Sequence, residues 1–295
     1  MLDVAIIGSG PAGLSCAIKL ALEGQQVDVY ERRAKLDDKV CGDGLSVECI
    51  KVLSELNITT DNLISIGAKP IKRKFELYDY GQFEKIYPLT CLGLPRIKLD
   101  NYLYKLATNL GVRFHFSYNV NNLNKTENGY IINGEIKTKY LVLACGIASS
   151  LVKEIKEDIP LGISSRVVGT SERLHSDAFY FKYAPKYGSG YAWVFPVGDN
   201  LWNIGVFNGD KKEEIKQTYK EFEEILFKEF IKFERYDRIP GGAFIGASLQ
   251  DVDIDENAIG DAGYKAIYSS GEGVTFAIKS GIEKAKQILS IKGMK

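Results

Sequence analysis

Apolar residues recur along this chain with two periods, and the elements change where the period changes. Val4–Ile7 is a continuous apolar run, the pattern of a strand buried on both faces of a parallel sheet. Leu14, Ala17, Ile18 and Ala21 then recur at helical spacing, Gly24 stops that helix, and Gln26–Tyr30 reads as a second strand ending in Glu31. Ser46 is placed to cap a helix with Val47, Ile50, Leu53 and Leu56 on one face. From Gly67 to Leu92 the period falls to two. Lys72–Tyr78 and Gln82–Tyr87 alternate around Asp79-Tyr80-Gly81, which predicts a β-hairpin with one wet face.

The same reading continues to the end of the chain. Asp100 is expected to cap a helix carrying Leu103, Leu106, Ala107 and Leu110, closed by Gly111. Arg113–Val120 reads as a strand, Gly129–Ile136 as a hairpin and Lys139–Gly146 as another buried parallel strand. After Pro160 the pattern is sheet again, over Ser165–Thr170, Ala178–Tyr183, Gly190–Pro196 and Leu201–Phe207. Asp210 opens a charged helix whose stripe of Ile215, Tyr219, Phe222, Leu226, Phe230 and Phe233 is expected to pack against that sheet. Ala258–Gly263 reads as a short strand ending in Gly-Asp, and Ser269–Val274 as a glycine-rich opening to a helix running toward Ile288.

The first thirty-odd residues carry the sharpest chemistry. Gly8-Ser9-Gly10-Pro11-Ala12-Gly13 is a full G-x-G-x-x-G between a strand and a helix, and Glu31 follows Gly13 by eighteen positions at the end of the next strand. Gly8 allows the tight turn, Gly10 lets a diphosphate approach the backbone, and Gly13 lets helix and strand pack closely. The helix N-terminus offers free N–H groups to the phosphates, and the carboxylate suits a ribose hydroxyl. The unit predicts a dinucleotide site. Arg32 and Arg33, next in line, read as loop charges, with reach to an adenine or a phosphate. Cys41-Gly42-Asp43-Gly44 is a turn whose backbone could lie against a flat ligand.

Composition narrows the setting. The 295 residues are 45% hydrophobic and 26% charged, ordinary for a globular protein with a substantial core. Lys+Arg and Asp+Glu both number 38, so no nucleic-acid partner is expected, and peripheral membrane contact stays open. No run reaches membrane-span length and the first strand begins at once, so neither a transmembrane segment nor a signal peptide is expected. Five scattered cysteines and two histidines lack metal-ligand spacing. They point to reduced thiols in a cytoplasmic protein with no metal, with His115 a packing residue.

Taken together, GSGPAG with Glu31, VCGDG, Arg96 before a helix and IGDAGYKAIYSSGEGV resemble FAD-dependent oxidoreductases of the glutathione-reductase superfamily with the p-hydroxybenzoate-hydroxylase arrangement. GYAWVFP followed by DNLWNIGV resembles the geranylgeranyl reductase family within that group. The resemblance implies an α/β fold. A Rossmann-like FAD-binding domain (1–66, 92–157 and 241–295) would sit beside an α+β substrate domain on a mixed or antiparallel sheet (67–91 and 158–240). It implies that Gly8, Gly10, Ala12 and Gly13 hold the diphosphate, Glu31 the ribose, and Asp261 the ribityl–phosphate region. Cys41, Gly42 and Gly44 would approach the ring, Gly271, Gly273 and Val274 its pyrimidine edge, and Arg32, Arg96 and Val120 other parts of FAD. Tyr191, Trp193 and Phe195 would face the substrate, unless they simply fill a core. Cys41 is the one catalytic side chain expected, as a proton donor or polar neighbour.

The implied activity is reduction of carbon–carbon double bonds in an isoprenoid-type or other small hydrophobic substrate. NADPH, NADH or a reduced ferredoxin-type protein would be the electron donor. The alternatives are a flavin-dependent monooxygenase, or a flavin electron carrier or redox sensor without turnover. Cys145 stands where hydroxylase-like members of the group carry the aspartate of an Asp-Gly motif.

Overall fold

The computed structural model describes residues 2–78, 87–151, 159–210, 213–247 and 254–293. The chain opens with β1 (Leu2–Ile7), α1 (Pro11–Leu22) and β2 (Val27–Tyr30), the βαβ unit that the glycine fingerprint predicts. A two-residue β3 (Gly44–Leu45) leads to α2 (Val47–Ser54), whose N-cap Ser46 accepts the Cys49 N–H at 3.1 Å. The buried face of α2 is Cys49, Val52 and Leu53, continuing to Leu56, and Val47 points to solvent instead. Next comes α3 (Thr60–Ser65), unforeseen from the apolar pattern and held by a capping box between Thr59 and Asn62.

β4 (Lys69–Tyr78) pairs with β5 (Tyr87–Gly93) in antiparallel register, Ile71 opposite Cys91. The hairpin is therefore present, its described second arm running over Tyr87–Gly93. The predicted turn at Asp79-Tyr80-Gly81 and the run from Gln82 to Ile86 lie outside the described residues. α4 (Arg96–Asn109) begins four residues before the expected cap. Asp100 is inside the helix, buried and paired with Arg96.

β6 (Arg113–His115) is only the first part of the expected 113–120 strand. It is followed by β7 (Leu123–Thr126), β8 (Gly129–Ile132) and β9 (Ile136–Leu143). β10 (Leu161–Thr170), β11 (Ala178–Tyr183), β12 (Tyr191–Gly198) and β13 (Leu201–Asn208) follow the predicted sheet pattern. α5 (Ile215–Glu229) stops short of the predicted stripe: Phe230 is its C-cap and Phe233 belongs to β14 (Lys232–Phe244). The expected domain boundary at 241 thus falls inside a strand. Ala258 makes only a single parallel bridge to Leu143, then turns through a 3₁₀ segment, Gly260–Gly263, before α6 (Val274–Ile291).

The strands form two sheets. Six lie in the order β6-β2-β1-β9-β8-β7, with β6, β2, β1 and β9 mutually parallel. α1 and α6 lie against this sheet and pack on each other so closely that a Cβ on Gly281 would lie 2.2 Å from Ser15 Oγ. Eight more lie in the order β14-β10-β13-β12-β11-β4-β5-β3, antiparallel except for the β11–β4 pair. On one face of that sheet Val167, Val194, Ile204 and Val206 pack under Tyr219, Phe222 and Leu226 of α5. The other face is turned toward the loops of the six-stranded sheet. The α/β fold class, with a Rossmann-like unit and a second mixed sheet, is as expected. Among the described residues no helix is long and apolar enough to cross a membrane.

Candidate functional site

The fingerprint glycines divide by what surrounds them. Gly8 has φ +109°, and a Cβ there would lie 2.3 Å from the Ala144 carbonyl oxygen. A Cβ on Gly13 would lie 2.0 Å from the Gly8 oxygen, so these two glycines serve the packing of turn, strand and helix. Gly10 is different. A Cβ there would meet only Lys39 Nζ, at 3.6 Å, so its missing side chain leaves a cradle at the start of α1. Ala12 is buried, with Gly260 packed on it.

Glu31 stands at the end of β2 beside this turn, 5% exposed. Its carboxylate accepts the Ser9 N–H at 3.0 Å, the Ser9 hydroxyl at 2.6 Å and the Arg33 N–H at 3.0 Å. Burial alone would raise its pKa. The hydrogen bonds from Ser9 and Arg33 outweigh it and hold the carboxyl below the ordinary range. Arg32 is exposed, and Val120 is buried among Tyr30, Leu141 and Leu143. His115 does more than pack: its Nε2 lies 2.8 Å from Asp28 and its ring stacks on Tyr30 at 4.6 Å.

Lys39, Arg96 and Asp261 gather on the other side of the cradle. Burial lowers the Lys39 ammonium pKa, helped by repulsion from Arg96 and Arg33. Burial raises the Asp261 carboxyl, opposed by the pull of Arg96 and Lys39. Asp261 sits in the 3₁₀ turn next to the start of α6, where a Cβ on Gly273 would lie 3.6 Å from its Oδ1. Lys39 carries no sequence signal. It is one lysine in a charged loop until the fold brings it to Gly10.

The Cys41–Gly44 loop lies against the open face of the eight-stranded sheet. Register places three rows of side chains across that face. One row runs Tyr78, Tyr183, Tyr191, Phe207, and the next Glu76, Phe181, Trp193, Gly205, Ser164, Gly241. The third runs Lys74, Phe179, Phe195, Asn203, Arg166, Arg238. The β11–β12 half is therefore a wall of rings, which Phe207 extends onto β13, and the rest of the β13–β10–β14 half is small or polar. Tyr191, Trp193 and Phe195 do share this face, as alternation requires. Trp193 lies over Gly205, where a Cβ would come within 2.2 Å of the indole, and its Nε1 donates to Asn203 Oδ1 at 2.8 Å.

The polar half grips the loop. Asn203 donates to the Cys41 carbonyl and to Asp43 Oδ2, both at 2.7 Å, and Ser164 donates to the Cys41 carbonyl at 3.1 Å. Arg166 pairs with three carboxylates: Asp38, Asp43 at 3.1 Å and Asp237 at 2.9 Å. Burial pushes the Asp43 carboxyl up, against the pull of Arg166 and Arg238. Burial likewise pushes the Cys41 thiol up, so it keeps its proton at neutral pH. Gly42 and Gly44 lie over the rings beneath: a Cβ on Gly42 would lie 3.6 Å from the Trp193 indole and one on Gly44 3.4 Å from the Phe179 ring.

The second loop over the face is Ser270–Gly273. Tyr191 donates its hydroxyl to the Ser270 carbonyl at 2.6 Å, and Gly271, at φ +66°, sits on Phe207. Glu272 accepts from Ser46 at 2.6 Å and from Thr275 at 2.5 Å, tying α2 to α6. Val274 is the first residue of α6, directly after the N-cap Gly273. Cys145 follows β9 on the far side of the turn, half-buried. Among the described residues no group of His, Cys, Asp and Glu could hold a metal.

The family model for the FAD binding domain matches residues 1–229. The chain belongs to that family. It binds FAD, and the cradle at Gly10 with Lys39 beside it fits the cofactor's diphosphate. The chain is similar to digeranylgeranylglycerophospholipid reductase 2 of Methanosphaera stadtmanae, 26% identical over 95% of this chain and 76% of that protein. It is also similar to the menaquinone reductase of Mycolicibacterium smegmatis, 24% identical over 69% of this chain but only 54% of the relative. Of solved structures, a geranylgeranyl bacteriochlorophyll reductase-like protein from Thermoplasma acidophilum superposes with a TM-score of 0.76 at 23% identity, over 99% of this chain and 79% of that one. The resemblance to geranylgeranyl reductases read from the motifs is thus met by the comparisons.

Proposed function

We propose that this flavoprotein saturates carbon–carbon double bonds of an isoprenoid-type or other apolar substrate. The observation that carries the reading is the wall of rings around Tyr191, Trp193 and Phe195, turned toward the two loops that flank the cofactor side. The names of the relatives as reductases support it. The six-stranded sheet and its helices form the cofactor part, and the eight-stranded sheet the substrate part.

In this reading Gly8, Gly10, Ala12 and Gly13 hold the diphosphate at the α1 N-terminus, with the Lys39 ammonium as its counter-charge. Glu31 binds the ribose and Asp261 the ribityl chain. The main chain of Gly271, Gly273 and Val274 meets one ring edge, while Cys41, Gly42 and Gly44 lie along the ring. Arg96 stays charged beside Cys41 and Asp100. Bound FAD supplies the two-electron chemistry that no side chain has. The aromatic wall holds the substrate and excludes water, and the protonated Cys41 Sγ is the group from which a proton reaches the carbon skeleton. Electrons come from NADPH, NADH or a reduced ferredoxin-type protein. The protein works in the cytoplasm, with peripheral contact where its substrate is a membrane lipid.

The test is direct. Holoprotein is reduced without oxygen and mixed with a geranylgeranyl lipid, and the product is analysed by mass spectrometry. A gain of two hydrogens per reduced double bond is expected. Reoxidation by air with the lipid unchanged would sink the proposal in favour of an oxygen-using flavoprotein.

A further inference from the structure

Arg238 is a cation that the fold leaves half engaged. Its Nη2 donates to Ser164 Oγ at 2.8 Å and to the Cys41 carbonyl at 3.3 Å. Its Nε and Nη1 are enclosed, with no acceptor among the described residues. Enclosed donors without acceptors are costly and uncommon in folded proteins, so each calls for an explanation. The neighbouring Arg166 shows the contrast, since it is paired with Asp38, Asp43 and Asp237. Arg238 forms no ion pair of its own among the described residues.

Its position supplies the explanation. Arg238 ends the row that begins at Lys74 and Phe179, on the polar half of the face, with Ser164, Gly205 and Gly241 in the adjacent row. Gly205 and Gly241 bring no side chain of their own there, Trp193 lying over the one and Val40 over the other, the ring wall lies alongside, and the Cys41 main chain is in contact. We propose that Arg238 recognises a carboxylate on the substrate, so that the substrate is an unsaturated apolar acid whose chain lies along the rings. A single engaged cation suits one negative charge better than a phosphate ester with nearly two. The inference takes the site from the reductase reading and adds the chemical class of its substrate.

Farnesoic acid and farnesol test it, because they share one prenyl chain and differ in carboxylate against hydroxyl. Each is titrated into oxidised holoprotein, and the shift of the visible FAD band reports binding without turnover. Farnesoate is expected to bind at least about tenfold more tightly than farnesol. Arg238→Gln should abolish that advantage and leave farnesol within about twofold, while Arg238→Lys keeps part of it. Equal affinities in the unmutated protein overturn the proposal whether or not any variant folds. So does an Arg238→Gln variant that weakens both ligands alike, or one that only loses FAD while the wild type shows no preference. A carboxylate preference in a protein that reduces no double bond would sink the reductase reading and leave this one standing.

Discussion

Asp43 caps helix α4 from 53 residues away: its Oδ1 accepts the main-chain N–H of Arg96 at 2.8 Å. Its other oxygen takes Arg166 and Asn203, and its carbonyl takes the Leu94 N–H at 2.8 Å. The backbone there is left-handed, φ +59°, a conformation that Asn and Asp tolerate better than Ala. Asp43→Asn keeps the turn and one acceptor but loses the charge. It should lose about 1–3 kcal/mol in urea unfolding. Asp43→Ala removes every side-chain bond and adds strain, and should lose about 3–5 kcal/mol. Equal losses would contradict this account of the residue.

Gly10 and Gly13 predict opposite phenotypes for the same substitution. Gly13→Ala drives a methyl into the Gly8 oxygen and should yield little folded protein. Gly10→Ala meets only the flexible end of Lys39, so apoprotein stability should change by no more than about 0.5 kcal/mol. FAD affinity, followed by recovery of flavin fluorescence, should fall at least about tenfold. A Gly10→Ala protein that still binds FAD with wild-type affinity would remove the cradle from the cofactor site.

Glu31 sets a pH dependence with a definite sign. Its carboxyl is held below the ordinary value, so its contribution is complete above the unfolded pKa and is lost as pH falls through the folded one. Acid unfolding of the apoprotein should begin at higher pH in Glu31→Gln than in the wild type, with melting temperatures above pH 6 differing least in slope. Parallel melting-temperature curves from pH 7 down to pH 3 would argue against the Ser9–Glu31 pairing.

Cys41→Ala should leave FAD content unchanged and lower the rate of double-bond reduction about 10²-fold, with a smaller effect on KM. Cys41→Ser, which still carries a proton, should recover part of that rate. Full activity in the alanine variant would make Cys41 only a small residue beside the ring.

Local patterns were legible in the sequence, and long-range ones were not. The Gly8–Gly13 turn, α1 and Glu31 lie within one short stretch, where spacing alone carries the geometry. The alternation of Tyr191, Trp193 and Phe195 correctly placed them on one face. Asp43 was only a turn residue in the sequence, because its partners Arg166 and Asn203 lie 123 and 160 residues away. Asp100 looked like a cap by residue type, but Pro95 and the remote Asp43 start the helix earlier. β14 was missed because Lys232–Arg238 mixes charges and rings without a period, and Pro240-Gly241-Gly242 reads as a loop. As a bulged edge strand it tolerates all three. Lys39 and Arg238 are lone basic residues until the fold gives them neighbours.

The grip on the Cys41–Gly44 loop has a kinetic corollary. Ser164, Asn203, Arg166 and Arg238 fasten it to one sheet, while Arg96 and Leu94 fasten it to the chain leading into the other. Tyr191 does the same for the loop before α6. A molecule seated behind both clasps can leave only when several charge-assisted bonds break together. FAD would then be a prosthetic group that outlasts many turnovers, not a coenzyme that comes and goes. Reducing equivalents must be delivered to it at the surface of the protein.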